Sequence, residues 1–346
     1  MAANGANGMI TFKVAALGLG LLVGGIASAE VCTTQSQMSA ADRDGLAAAA
    51  RSLAAKVQAG DVSGLQAATA AEYGKDFSGI GGVVGSMAAK VKGGTLAVEQ
   101  VYVLDAGQMK PGADGTVPDA QFFCSLNKSV AEADFLIPGL APGRYGFAMV
   151  NVNDGSTPWR LSFLLRQERG KWAMAGFYPK PLSAAGHDGL WYWTQARLMT
   201  ARKEHWNAWF YYQEAQNLLL PAAFVQSTHS EKLKAEEAAA APPALSDGVS
   251  TETPLVVKGP DGAEYHFTGL GVDDSLGKEK VDVTAHLKVD ETLGDAASAR
   301  KRNDAAMLAL VTAYPELRKP FHGVWIFSDA AGQNPFVTEE AMSDIH

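Results

Sequence analysis

Residues 190–221 read LWYWTQARLMTARKEHWNAWFYYQEAQNLLLP, and the rest of the chain is organised around this stretch. It holds Trp191, Trp193, Trp206 and Trp209, four of the 7 tryptophans, and no glycine. Tyr192, Ala196 and Met199 fall at i, i+4 and i+7. After a polar break at residues 202–205 the spacing returns in Ala208, Tyr212, Ala215 and Leu219. That period puts each set on one face of a helix. Pro221 stops the second helix, because it lacks an amide donor and clashes with the turn before it. Asp188-Gly189 supplies a turn and an N-cap on the entry side. The stretch predicts an αα-hairpin over residues 187–230, seated by its indoles on the domain that precedes it.

Ala196, Ala208, Tyr212, Ala215 and the closing proline resemble a single tetratricopeptide unit. Lys203 stands where that unit's turn has glycine, Pro221 comes one residue late, and no second copy occurs in the chain. Such arrays need about three units to close a continuous core. A lone docked hairpin is therefore the expectation.

The start of the chain sets its address. Lys13 precedes an apolar run over residues 14–26, and Ala27-Ser28-Ala29 is a small-x-small site. This predicts a secretory signal peptide over 1–29, cleaved after Ala29. The run falls short of the roughly twenty residues a spanning helix needs, and an uncleaved anchor is the alternative. Glu30-Val31 before Cys32 does not fit a lipoprotein site, and no other stretch could cross a membrane. The mature chain is expected in the periplasm or outside the cell. Cys32 and Cys124 would there meet an oxidising space, so they either form a disulfide or leave Cys124 as a small buried hydrophobe beside Phe122-Phe123.

With 346 residues the chain suggests about two domains. A hydrophobic content of 47% against 19% charged residues supports packed cores. The net charge of -8, and no basic cluster denser than Arg300-Lys301-Arg302, argue against nucleic acid as a partner.

The first domain is placed at 39–180. Ser39 caps an alanine-rich helix to Gln58, a second helix runs over 62–71, and the glycine-rich residues 79–85 lead into a short third helix through Lys92. Strands follow at Leu96–Val103, Ala120–Leu126, Tyr145–Asn151, Trp159–Glu168 and Lys171–Pro179. Trp159, Leu161, Phe163 and Leu165 alternate on one face, Arg169-Gly170 turns, and Trp172, Met174 and Gly176 return. Gly79, Gly81 and Gly85 miss the spacing of a dinucleotide loop, and helical sequence precedes them.

Ala59-Gly60-Asp61 between the first helices, the Gly93-Gly94 entry and the Gly170-Lys171-Trp172 hairpin make this domain similar to the nuclear transport factor two-like superfamily. The likeness covers about 140 residues. It implies a cone of helices on a curved antiparallel sheet, a scaffold that serves enzymes, ligand binders and structural proteins alike. Trp159, Phe163, Trp172 and Met174 are then the inward residues, which either fill the cone or line a ligand pocket at its mouth. The histidine–aspartate dyad of the superfamily's enzymes has no counterpart, since no histidine precedes His187.

Residues 231–253 shift to Lys, Ala and Glu, then Pro242-Pro243, and read as a linker. Beyond it a small ββ(β)αβ module is expected over 254–330, with a tail at 331–346. Gly259-Pro260-Asp261-Gly262 makes its hairpin. Val281, Val283, Ala285, Leu287 and Val289 alternate on a half-buried strand, and residues 296–314 form an amphipathic helix. His286 shares a face with Asp282, and His266 with Glu264, but these are solvent-facing positions without metal-ligand spacing, so no metal site is expected. His187-Asp188 reads as turn and cap.

The fold class expected is α+β: N-terminal helices on a curved sheet, a central αα-hairpin, and a small C-terminal module. The leading expectation for function is an exported, non-catalytic binding or scaffold protein that engages an envelope protein. It carries no cofactor and no catalytic residue. The alternative is a small-ligand binder or enzyme using a pocket in the first domain.

Overall fold

The computed structural model describes residues 31–125, 132–154, 157–277, 279–290 and 292–346. The signal segment 1–29 and its cleavage site at Ala29 lie outside them. The fold is α+β, as expected.

The chain opens with β1 (Val31–Thr34), α1 (Ala40–Ala59), α2 (Val62–Ala67) and α3 (Ser78–Val91). The Ser39 hydroxyl accepts from the Asp42 amide at 3.1 Å and starts α1, and Gly60 ends it in the left-handed conformation with φ 67°. Leu46, Ala50, Leu53 and Val57 form its buried stripe. The glycine-rich segment lies inside α3 rather than ahead of it. Its buried Val84, Met87 and Val91 recur at helical spacing, and that burial outweighs glycine's poor helix propensity.

Next come β2 (Thr95–Asp105), β3 (Val117–Ser125), β4 (Glu132–Leu140), β5 (Arg144–Asn153), β6 (Trp159–Glu168) and β7 (Lys171–Pro181). Arg169 and Gly170, both at positive φ (49° and 79°), make the tight turn between the last two. A two-stranded turn, β8 (Ser183–Ala184) with β9 (His187–Asp188), leads to α4 (Gly189–Ala201) and α5 (His205–Leu219). Then β10 (Val225–Ser227) returns to the first sheet and α6 (Thr228–Ala240) leaves it. The eight-stranded sheet has the order β10-β4-β3-β1-β2-β5-β6-β7. Helices α1 to α3 cover one face; at Gly146 of β5 an added Cβ would meet Leu46 of α1 at 2.6 Å. Cys32 in β1 and Cys124 in β3 are bonded, with Cα atoms 5.2 Å apart and a sequence separation of 92.

The C-terminal part comprises β11 (Leu255–Lys258), β12 (Glu264–Asp273), β13 (Asp282–Val289), α7 (Ala296–Ala313), β14 (Gly323–Ala330) and β15 (Phe336–Ala341). These strands pair in chain order, antiparallel except for β13 with β14, which α7 connects in parallel. The expected tail supplies β15, and Met342 and Ile345 beyond it are buried. Asn303 of α7, fully buried, donates to the Thr338 hydroxyl at 3.1 Å and the Phe336 carbonyl at 3.4 Å, which fixes this last strand.

Two organisational expectations need correction. The hairpin's aromatic core is shared with the C-terminal part, through the α7–β14 connection, rather than with the domain before it. Trp206 meets Tyr314 at 4.1 Å between ring centroids, and Phe210 and Tyr211 meet Phe321 at 5.5 and 5.9 Å. All belong to one apolar core that also holds Val257, Phe267 and Leu310, with Tyr314 packed against it. Residues 231–253 are also not simply a linker. Their alanine-rich part is α6, with Leu233 and Ala240 buried against the hairpin, and Leu245 enters the same core. Prolines 242 and 243 end the helix without ending the packing. No helix among the described residues is long and apolar enough to cross a membrane.

Candidate functional site: a cavity at the mouth of the rolled sheet

The four inward residues of the first domain lie on the helix-covered face. Phe163 and Met174 are fully buried, and Phe163 stacks on Phe177 at 5.1 Å. Trp159 and Trp172 close the edges of this core beneath the cations of Lys90 and Arg144, at 4.9 and 5.8 Å. Of the two expectations for Trp159, Phe163, Trp172 and Met174, these contacts fit the filled cone, and none of the four lines the cavity described next.

The opening is on the other face. In the sheet order three strands separate β4 from β5, so Phe135 and Phe147 would stand about 19 Å apart if the sheet were flat. Their ring centroids are 5.3 Å apart, and Phe135 meets Tyr102 at 5.1 Å. The sheet is therefore rolled, with β3 and β4 folded over β2 and β5. Phe224, between α5 and β10, plugs one side against Phe147 and Tyr178. At the mouth of the roll a cavity of about 430 Å³ remains.

Tyr102, Phe147 and Met149 form its floor, and Leu190, Trp193 and Leu233 roof it from α4 and α6. The roof is held by charge. The Trp193 indole donates to Glu236 at 2.7 Å, and Arg197 pairs with the same carboxylate at 2.7 and 2.9 Å while lying over the Trp193 ring at 4.4 Å. These hydrogen bonds, Arg197's foremost, hold the Glu236 carboxyl below its ordinary range. At the start of α6, Ser227 and Ser230 cap each other's backbone reciprocally.

Arg160 of β6 stands in the wall with its side chain 13% exposed. One Nη donates to the Leu219 carbonyl at 3.3 Å; Nε makes no hydrogen bond and lies 3.8 Å from a Glu99 oxygen. Burial pushes the guanidinium's pKa down and Glu99 pushes it back. Arginine remains charged under both influences. The lining thus combines an apolar enclosure with one incompletely bonded cation.

Elsewhere the titratable residues do structural work. His187 stacks on Trp191 at 3.6 Å, and Asp188 accepts the Trp191 amide at 2.8 Å, the turn and cap read from sequence. His266 lies 3.9 Å from Glu264, as their shared face predicts. His286 pairs instead with Asp329 at 2.7 Å, stacked on Phe327. Asp282 departs from its expected solvent position: it is 1% exposed. It accepts from Trp325 and bonds His322, each at 3.0 Å. Asp282, His322 and Glu339 offer ligand atoms within 4.8 Å of one another, the three residues most suited to a cation among those described. Both Asp282 oxygens are already engaged, which gives the group a role in fixing the loop before β14.

Glu214 of α5 is 8% exposed beside a small cavity of about 90 Å³ that Asp273 and Asp274 also line. Burial pushes its carboxyl up to about 7 from the ordinary 4.5, opposed weakly by Asn217. The native state then keeps a proton that the unfolded chain has released. The stability this contributes is full below about pH 4.5 and is lost as pH rises to about 7. Glu214→Gln is expected to match the wild type near pH 4 and to exceed it by on the order of 2 kcal/mol at pH 8. Urea unfolding at the two pH values checks this; a difference independent of pH would contradict it.

The cavity is not legible in sequence because its parts come from elements and a strand face that the local pattern does not mark. No strand is expected at β4 or β10, and the apolar alternation on β6 marks only Trp159, Leu161, Phe163 and Leu165, the opposite face from Arg160. The signal in the sequence is the apolar Leu164 and the uncharged Ser162 on the Arg160 face. No family model, curated protein or solved structure matches the chain.

Proposed function

We propose that the chain is an exported, non-catalytic protein that binds a small, largely apolar molecule between the rolled sheet and the α4–α6 roof. The observation that carries this is the cavity itself, about 430 Å³ with a mainly apolar lining. That size is within the range of small-ligand sites. The Cys32–Cys124 bond supports an oxidising compartment. We read the likeness of the first domain to the nuclear transport factor two-like superfamily in the same sense, since that scaffold serves binding proteins as well as enzymes. The lining offers a guanidinium, the His229 imidazole and the Tyr102 phenol; Glu99, outside it, lies 3.8 Å from Arg160 as that cation's counter-charge.

Met149 sits on the floor, and Met149→Trp fills the space with an indole. Titration with anilinonaphthalene sulfonate is expected to give one saturable site per wild-type chain and to weaken about tenfold or more in Met149→Trp, at unchanged urea stability. Equal dye binding by the two proteins would place any apolar site elsewhere. No dye binding by either would return the reading to a protein partner in the envelope.

A further inference from the structure

We propose that the molecule held in this cavity is a small amphipathic carboxylate, with its head on Arg160 and its apolar body over Met149, Phe147 and Tyr102. This rests on the reading of the cavity as a ligand site and adds the class of ligand.

The strand register grades the floor. Asn151, Arg160 and Lys180 stand opposite one another across β5, β6 and β7, and Met149, Ser162 and Tyr178 form the next row on the same face. Phe147 with Leu164 is the row after that, beside Tyr102 of β2. Successive rows are two residues apart, roughly 7 Å along the strand. The inner face therefore passes from cationic to aromatic over a distance that one small molecule spans.

The polar end is short of partners. Arg160 Nε, in the cavity wall, is buried with no hydrogen bond. Buried polar groups left so are uncommon and costly, and a guanidinium has five donors to place. Neighbouring cations do not compete for the anion: the Lys180 ammonium is committed to the Asn217 side chain at 2.9 Å. The head group's charge follows. Arg160 is a single cation already shared with Glu99 at 3.8 Å, so it complements a monoanion rather than a doubly charged phosphate. A planar carboxylate matches the guanidinium fork. The volume of about 430 Å³ sets the length. At about 30 Å³ for a group the size of water, it holds roughly a dozen non-hydrogen atoms.

The test is calorimetric titration of the mature protein with decanoate and 1-decanol, which share a chain and differ in the head. Decanoate is expected to bind about tenfold or more tighter than decanol. Arg160→Met is expected to bring the two within about twofold of each other by weakening decanoate alone. Equal affinities in the wild type would overturn the carboxylate assignment while leaving the cavity as a ligand site. Failure of both to bind would overturn the cavity reading as well. The wild-type comparison decides the matter even if Arg160→Met does not fold.

Discussion

Phe163→Ala is expected to lower the unfolding free energy by about 3–5 kcal/mol and to leave ligand affinity in the folded fraction unchanged. The ring is fully buried in the core between the sheet and helices α1 to α3, stacked on Phe177 at 5.1 Å. Removing it leaves a cavity inside the closely packed core that the strands share with these helices, so collapse recovers little. Urea unfolding followed by circular dichroism gives the first quantity, and titration with the naphthalene dye below the transition gives the second. A stable variant with weakened dye binding would mean that the helix-covered face, and not the roll, holds the ligand.

Replacing both cysteines by serine is expected to cost about 2–4 kcal/mol. The bond closes a loop with a sequence separation of 92 residues, and the loop entropy of the unfolded chain rises with that length. It also acts locally. The four residues of β1 lie between β2 and β3, the two strands through which the sheet turns into its roll. Without the bond this short strand is held by its ladder alone. Wild-type unfolding in the presence of a reductant should match the double variant; no shift on reduction would contradict the expectation.

The local elements were the legible part of this fold. Ser39, Gly60 and the Leu46–Val57 stripe announce α1, and Tyr192, Ala196, Met199 with Ala208, Tyr212, Ala215 announce the hairpin, because capping and helical period are properties of neighbouring residues. What those faces pack against was not legible. The aromatic side of α5 fits a sheet before it or a sheet after it equally well, and only the pairing of β12 to β15 decides for the latter. Strand β4 hides its alternation of Ala133, Phe135 and Ile137 behind Pro138-Gly139, which reads as a break. Without β4 the roll of the sheet is not legible, and nothing local marks the inner position of Arg160. The candidate site is thus a product of long-range strand order, while the residues first singled out as ligand contacts were simply the most apolar alternation in the domain.

Native mass spectrometry of the mature protein, recovered from the cells that make it, tests the central claim most directly. One small organic molecule bound per wild-type chain, absent from Met149→Trp, is the predicted result. Bare chains in the wild type, or the same adduct retained by Met149→Trp, would contradict the cavity as the seat of function.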